Sequence, residues 1–136
     1  MIQLISRKFG LVTILLCVFS NNCFSQQQDT LVYTSVDTSP KFEYKNCKDN
    51  NESIELYLSE HLVRPNDDDI IGKVLVQCVI ENDGTLNMFK IVRGIDDKFD
   101  NVSIEVLKKM PKWKPGLKNG NIVRTQIIVS VKWTWE

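Results

Sequence analysis

The sequence has one histidine and four cysteines, and its 17 basic residues balance 17 acidic ones. His61 falls beside the apolar stripe of a predicted helix, where a surface or partly packed imidazole is a better interpretation than a general base. There is no Cys-x-x-Cys pair, Gly-rich phosphate loop or nucleophile elbow, and the acidic clusters lack an EF-hand pattern. We therefore predict a non-enzyme with no catalytic residues, no metal and no cofactor. Because basic and acidic residues are equal in number, the sequence has no basic stripe of the kind that binds nucleic acids.

The chain also lacks an apolar run of the ~20 residues that a membrane-spanning helix needs. An uncharged apolar run, Phe9 to Phe19, follows Arg7 and Lys8 and precedes small residues before Gln26. This order predicts a cleaved secretory signal peptide over residues 1–25. Lipid attachment at Cys23 and retention as an anchor are the alternatives. Cleavage would leave 15 basic against 17 acidic residues, a net charge of −2.

Two cysteines remain after the predicted cleavage, Cys47 and Cys78. An oxidising compartment would allow them to pair. Cys78 lies on the apolar face of a predicted strand, however, where a buried core thiol is an equally good interpretation. The sequence leaves both readings open.

The remaining chain divides into a polar leader of uncertain order, residues 26–51, and one domain, residues 52–136. Apolar spacing predicts a helix capped by Ser53 and ended by Pro65, and a second helix capped by Asp100 and ended by Pro111. Strict alternation predicts strands from Gly72 to Ile80 and from Ile122 onward. The sequence Asn82-Asp83-Gly84 predicts a tight turn into a third strand, Thr85 to Arg93.

This order of elements predicts an α+β fold, in which two helices pack on a small antiparallel three-stranded sheet. The final strand follows a helix rather than a tight turn, so we expect it at an edge of the sheet. Unpaired N–H and C=O groups on an edge strand can recruit an extended peptide, or a second copy of the chain as a homodimer. Physics alone thus suggests a protein-binding role.

Several short motifs occur together in a characteristic order. They are Gly72-Lys73-Val74-x-Val76, Asn82-Asp83-Gly84, Ile91-Val92-Arg93-Gly94, Phe99-Asp100, the turn and packing residues Met110, Pro111, Trp113, Pro115 and Gly116, and Asn119-Gly120. In order and spacing they resemble the C-terminal domain of TonB-type energy transducers, in the form typical of Bacteroidetes. The resemblance covers Ser53 to Trp133.

The resemblance implies a periplasmic domain that binds outer-membrane transporters. It implies that an extended transporter segment is added beside the last strand, and that the domain takes part in energy-coupled transmembrane transport, if necessary with an anchored transducer complex of the inner membrane. The alternative is an exported accessory or inhibitory protein-binding domain without an energy-transducing role. Mapped onto this chain, the peptide-binding edge strand comprises Arg124, Thr125, Gln126, Ile127, Ile128, Val129 and Ser130.

Overall fold

The computed structural model describes residues 31–65 and 69–134. The predicted signal peptide lies outside the described residues. The elements in chain order are β1 (Val32–Tyr33), α1 (Asn50–His61), β2 (Gly72–Ile80), β3 (Leu86–Arg93), α2 (Asp97–Lys108), β4 (Gly116–Lys118) and β5 (Asn121–Trp133). The α+β class and the two helices are confirmed. Within the described ranges, no helix is long and apolar enough to cross a membrane.

The sheet differs from the predicted one in strand number and in the position of its last strand. Among the described residues it has five strands, in the order β1-β5-β2-β3, with β4 also paired to β5. The β1–β5 pair is parallel and the other pairs are antiparallel. The prediction of three antiparallel strands was wrong because β1 and β4 are too short to show an alternating pattern. As a result, β5 is an inner strand over part of its length.

The core lies between the helices and one face of the sheet. Val74, Val76, Cys78 and Ile80 alternate along β2 and are fully buried, as the alternation predicts. From α2, Phe99, Val106 and Leu107 pack against this face, and Tyr57 and Leu58 do so from α1. The compact unit begins at Leu31, and Phe42, in the segment expected to be a polar leader, is also fully buried.

Both helices begin earlier than the sequence predicts, because aspartates that precede the predicted cap residues cap them. Asp49 caps α1 by accepting hydrogen bonds from the Asn51 and Glu52 amides at 3.0 and 3.2 Å. Asp96 caps α2 by accepting from the Phe99 amide at 2.9 Å. The predicted caps have other roles: Ser53 is buried and donates to the Asp49 carbonyl, while Asp100 accepts from the Ile95 amide.

The predicted turn and packing motif joins α2 to β4. Trp113 is buried and stacks on Phe42 with ring centroids 5.1 Å apart. Its amide donates to the Gly84 carbonyl at 2.9 Å, which fastens this connection to the β2–β3 turn. A Cβ added at Gly116 would lie 2.4 Å from the Thr125 hydroxyl oxygen, so only glycine permits this close approach of β4 to β5. Met110 packs at the margin of the core, and Pro111 is exposed.

The two cysteines in the described part of the chain are both free thiols. Cys78 is fully buried, and burial raises its pKa to about 12. Cys47 is half-buried. Because the thiolate is the reactive form, we expect iodoacetamide at about pH 8 to modify Cys47 while sparing Cys78 until the protein is unfolded. Peptide mass mapping before and after denaturation measures both sites. Equal modification of the two thiols in the folded protein would contradict the burial of Cys78.

Candidate functional site

The side of β5 that faces away from β2 is only partly paired. On the other side, β5 pairs with β2 from Thr125 to Trp133 without a break in register. On the side away from β2, β1 pairs only with Arg124 and Thr125, and β4 pairs with residues 121–123, before the stretch that pairs with β2. Among the described residues, no strand therefore covers the far side of β5 from Gln126 to Trp133. We call this stretch the open edge.

The open edge runs beside α1, and two successive cavities lie along it. The first, of about 400 Å³, is lined by residues 125–129 of β5, the start of α1 and the segment that follows β1. The second, of about 530 Å³, is lined by Leu58 of α1, by Leu62 just after it, and by Ser130, Lys132, Trp133 and Thr134. We call the two cavities together the docking groove. It places an extended backbone edge beside a helix wall that carries both apolar and polar side chains.

An ion pair between Lys132 and Glu55 crosses the far end of the groove. Val131 and Trp133 point into the core, so alternation puts Lys132 on the opposite face of the sheet. Glu55 belongs to α1, which packs on the core face, so the pair must reach around the open edge. Both side chains are 60% exposed, and an exposed pair of this kind contributes only about 0–1 kcal/mol. It can therefore open at little cost when another strand arrives.

Arg64 lies at the same end of the groove. Its guanidinium donates to the Ile70 carbonyl at 2.9 Å and to the Thr134 carbonyl at 3.1 Å. It also lies over the rings of Phe99 and Trp133, 5.8 and 5.9 Å from their centroids. These contacts hold the last residues of β5 at the end of the groove.

The predicted peptide-binding residues fall into two groups. Arg124 and Thr125 are already paired with β1, and Arg124 also binds Glu81 through two hydrogen bonds of 2.7 and 3.0 Å. The other five, residues 126–130, lie on the open edge. Their side chains alternate: Val129 is buried, whereas Ile128 is 57% exposed on the uncovered face.

The other free edge of the sheet, on β3, is less suited to receive a strand. The β2–β3 pairing contains two register shifts, and Met88 has a positive φ of 54°. Such irregular backbone interrupts the regular row of donors and acceptors that strand pairing needs. Lys90 and Arg93 add charge to this edge. The regular, unbroken register of β5 favours the open edge instead.

Comparison of the sequence with known protein families agrees with this fold. Residues 66–135 match the model of the Gram-negative bacterial TonB protein C-terminal family, a little over half of the chain. The chain belongs to the TonB C-terminal family. The resemblance seen in the sequence motifs is thereby confirmed. Comparison with curated proteins and with solved structures gave no match.

Membership places the protein in a family of periplasmic interaction domains rather than enzymes. TonB C-terminal domains in general bind outer-membrane transporters. The sequence did not indicate that Glu55, Arg64 and Lys132 line the docking groove. They carry no motif, because they meet only when α1 folds against β5.

Proposed function

We propose that this domain binds extended N-terminal segments of outer-membrane transporters in the periplasm by adding them as a strand along the open edge. Through this contact it takes part in energy-coupled transport, together with an anchored transducer complex. The proposal depends on one observation, the uncovered edge of β5 from Gln126 to Trp133 facing the docking groove. Backbone groups of the edge would supply affinity, and alternate side chains would supply selection.

The surroundings of the edge suit an extended peptide. A strand beside β5 would direct alternate side chains toward α1, where Ile54 and Leu62 are partly buried at the margin of the core. Its other side chains would lie on the uncovered face, next to Gln126, Ile128 and Lys132. The preferred segment therefore has apolar residues at every second position and polar or acidic ones between them.

Proline substitutions at Ile127 and Ile128 test strand addition. Successive N–H groups along a strand point to opposite sides, so one proline removes a donor to β2 and the other removes a donor from the open edge. The proline that removes the donor to β2 should lower the unfolding midpoint. The proline that removes the donor from the open edge should leave folding intact and weaken binding of transporter N-terminal peptides at least about tenfold. Thermal unfolding identifies which variant is which, and calorimetry measures the peptide affinity.

Ile127→Val and Ile128→Val are the matched controls, because they keep the N–H and the β-branched shape. Both should bind peptide as the parent does. If both proline variants fold and still bind with the parent's affinity, the peptide does not pair with the open edge and this proposal is wrong.

A further inference from the structure

Strand β1 is itself an added strand on the side of β5 that the proposed docking uses. Val32 pairs with Arg124 and Tyr33 with Thr125, in parallel orientation. Arg124 and Thr125 are also the first two residues of the edge that the sequence predicts for peptide binding. A partner strand that covers the full predicted edge, residues 124–130, must therefore meet β1 there.

The attachment of β1 is slight. Only two residues pair, Val32 and Tyr33 are half-exposed, and Leu31 is 62% exposed. None of the three belongs to the core cluster. The Tyr33 ring has the Lys118 ammonium 5.0 Å from its centroid, a contact at the surface. Detaching β1 would thus withdraw no side chain from the core cluster.

The chain just after β1 is firmly held, so detachment can stop there. Thr34 and Ser35 form a bend, and the amides of Asp37 and Thr38 both donate to the Leu117 carbonyl at 2.9 and 3.0 Å. The Asp37 carboxylate accepts from the Asn119 amide at 2.8 Å. Beyond them Phe42 is anchored in the core. The strand β1 is therefore weakly attached, whereas the chain from Asp37 onward is fixed.

We propose that β1 is a detachable internal competitor, which occupies Arg124 and Thr125, directly before the open edge, until a partner strand displaces it. This inference rests on the proposed function, since it assigns a regulator to that site. Because only two residues pair, β1 exchanges between an attached and a detached state, and a partner strand must shift this equilibrium toward the detached state. The apparent affinity for partner peptides then equals the intrinsic affinity multiplied by the fraction of molecules in which β1 is detached.

The test compares three forms of the full chain. Val32→Pro/Tyr33→Pro removes every N–H that β1 can donate, and Val32→Thr/Tyr33→Phe keeps those donors and the strand preference as a control. Transporter N-terminal peptides should bind the proline form several-fold to about tenfold more tightly than the parent or the control. The Val32 and Tyr33 amide signals of the parent should move as peptide saturates. Equal affinities, or unmoved signals at saturation, would overturn the inference while leaving the proposed function in place.

A synthetic peptide of residues 31–36 separates this inference from the proposed function. Added at millimolar concentration to the proline form, it should shift the Arg124 and Thr125 amide signals, because the vacated edge accepts the same strand in trans. If transporter peptides bind no form, the proposed function fails, and this hexapeptide alone then decides whether β1 is exchangeable. Absence of shifts at Arg124 and Thr125 would overturn the inference.

Discussion

Replacing Gly84 with alanine is expected to lower the free energy of unfolding by about 2–4 kcal/mol. Gly84 has a positive φ of 87°, and an added Cβ would lie 2.1 Å from the Trp113 carbonyl oxygen. The backbone must then move, which breaks the 2.9 Å hydrogen bond from the Trp113 amide to the Gly84 carbonyl and draws Trp113 away from Phe42. Urea denaturation measures the loss.

Gly120→Ala is the matched control for this prediction. Gly120 has a similar positive φ of 77°, but no atom lies within 4 Å of its added Cβ. Its substitution therefore carries the conformational cost alone, about 1–2 kcal/mol. Equal losses in the two variants would mean that the contact between Gly84 and Trp113 does not constrain the fold.

Replacing Trp133 with alanine should cost about 3–5 kcal/mol of unfolding free energy, because it empties a large site in the core. The ring is 2% exposed and meets Phe99 edge-to-face with centroids 4.8 Å apart. Its Nε1–H donates to the Ser103 hydroxyl at 3.3 Å. The same denaturation experiment gives the value.

Two neighbouring substitutions separate packing from other effects at this site. Trp133→Phe keeps an aromatic ring, and Ser103 keeps its own hydrogen bond to the Phe99 carbonyl at 2.7 Å, so we expect a smaller loss of about 1–2 kcal/mol. Lys132→Ala, at an exposed position, should change stability by less than about 1 kcal/mol. A loss at Lys132 as large as that at Trp133 would contradict the core assignment.

Elements that bury a regular face could be predicted from the sequence. The alternation of β2 and β5 and the apolar spacing of both helices follow from burial on one side, and the structure contains all four. The short strands could not be predicted. β1 pairs two residues and β4 three, so their existence depends on the position of β5 rather than on their own pattern.

The first residues of the two helices and the docking groove could not be predicted from the sequence either. Asp49 and Asp96 compete with Ser53 and Asp100 for the role of cap, and the choice depends on how the preceding chain enters the helix. The docking groove requires α1 to run beside β5, and the Lys132–Glu55 pair joins residues 77 positions apart. Contacts of this kind arise from tertiary packing, which leaves no local signal.

Amide hydrogen exchange along β5, with and without saturating transporter N-terminal peptide, tests the central claim most directly. If the peptide adds as a strand, the N–H groups of Gln126 to Lys132 that face away from β2 gain partners and exchange more slowly. Those that already bond to β2 should change little, which gives an alternating pattern of protection. Protection confined to β3, or an unchanged β5 with the peptide bound, would contradict docking at the open edge.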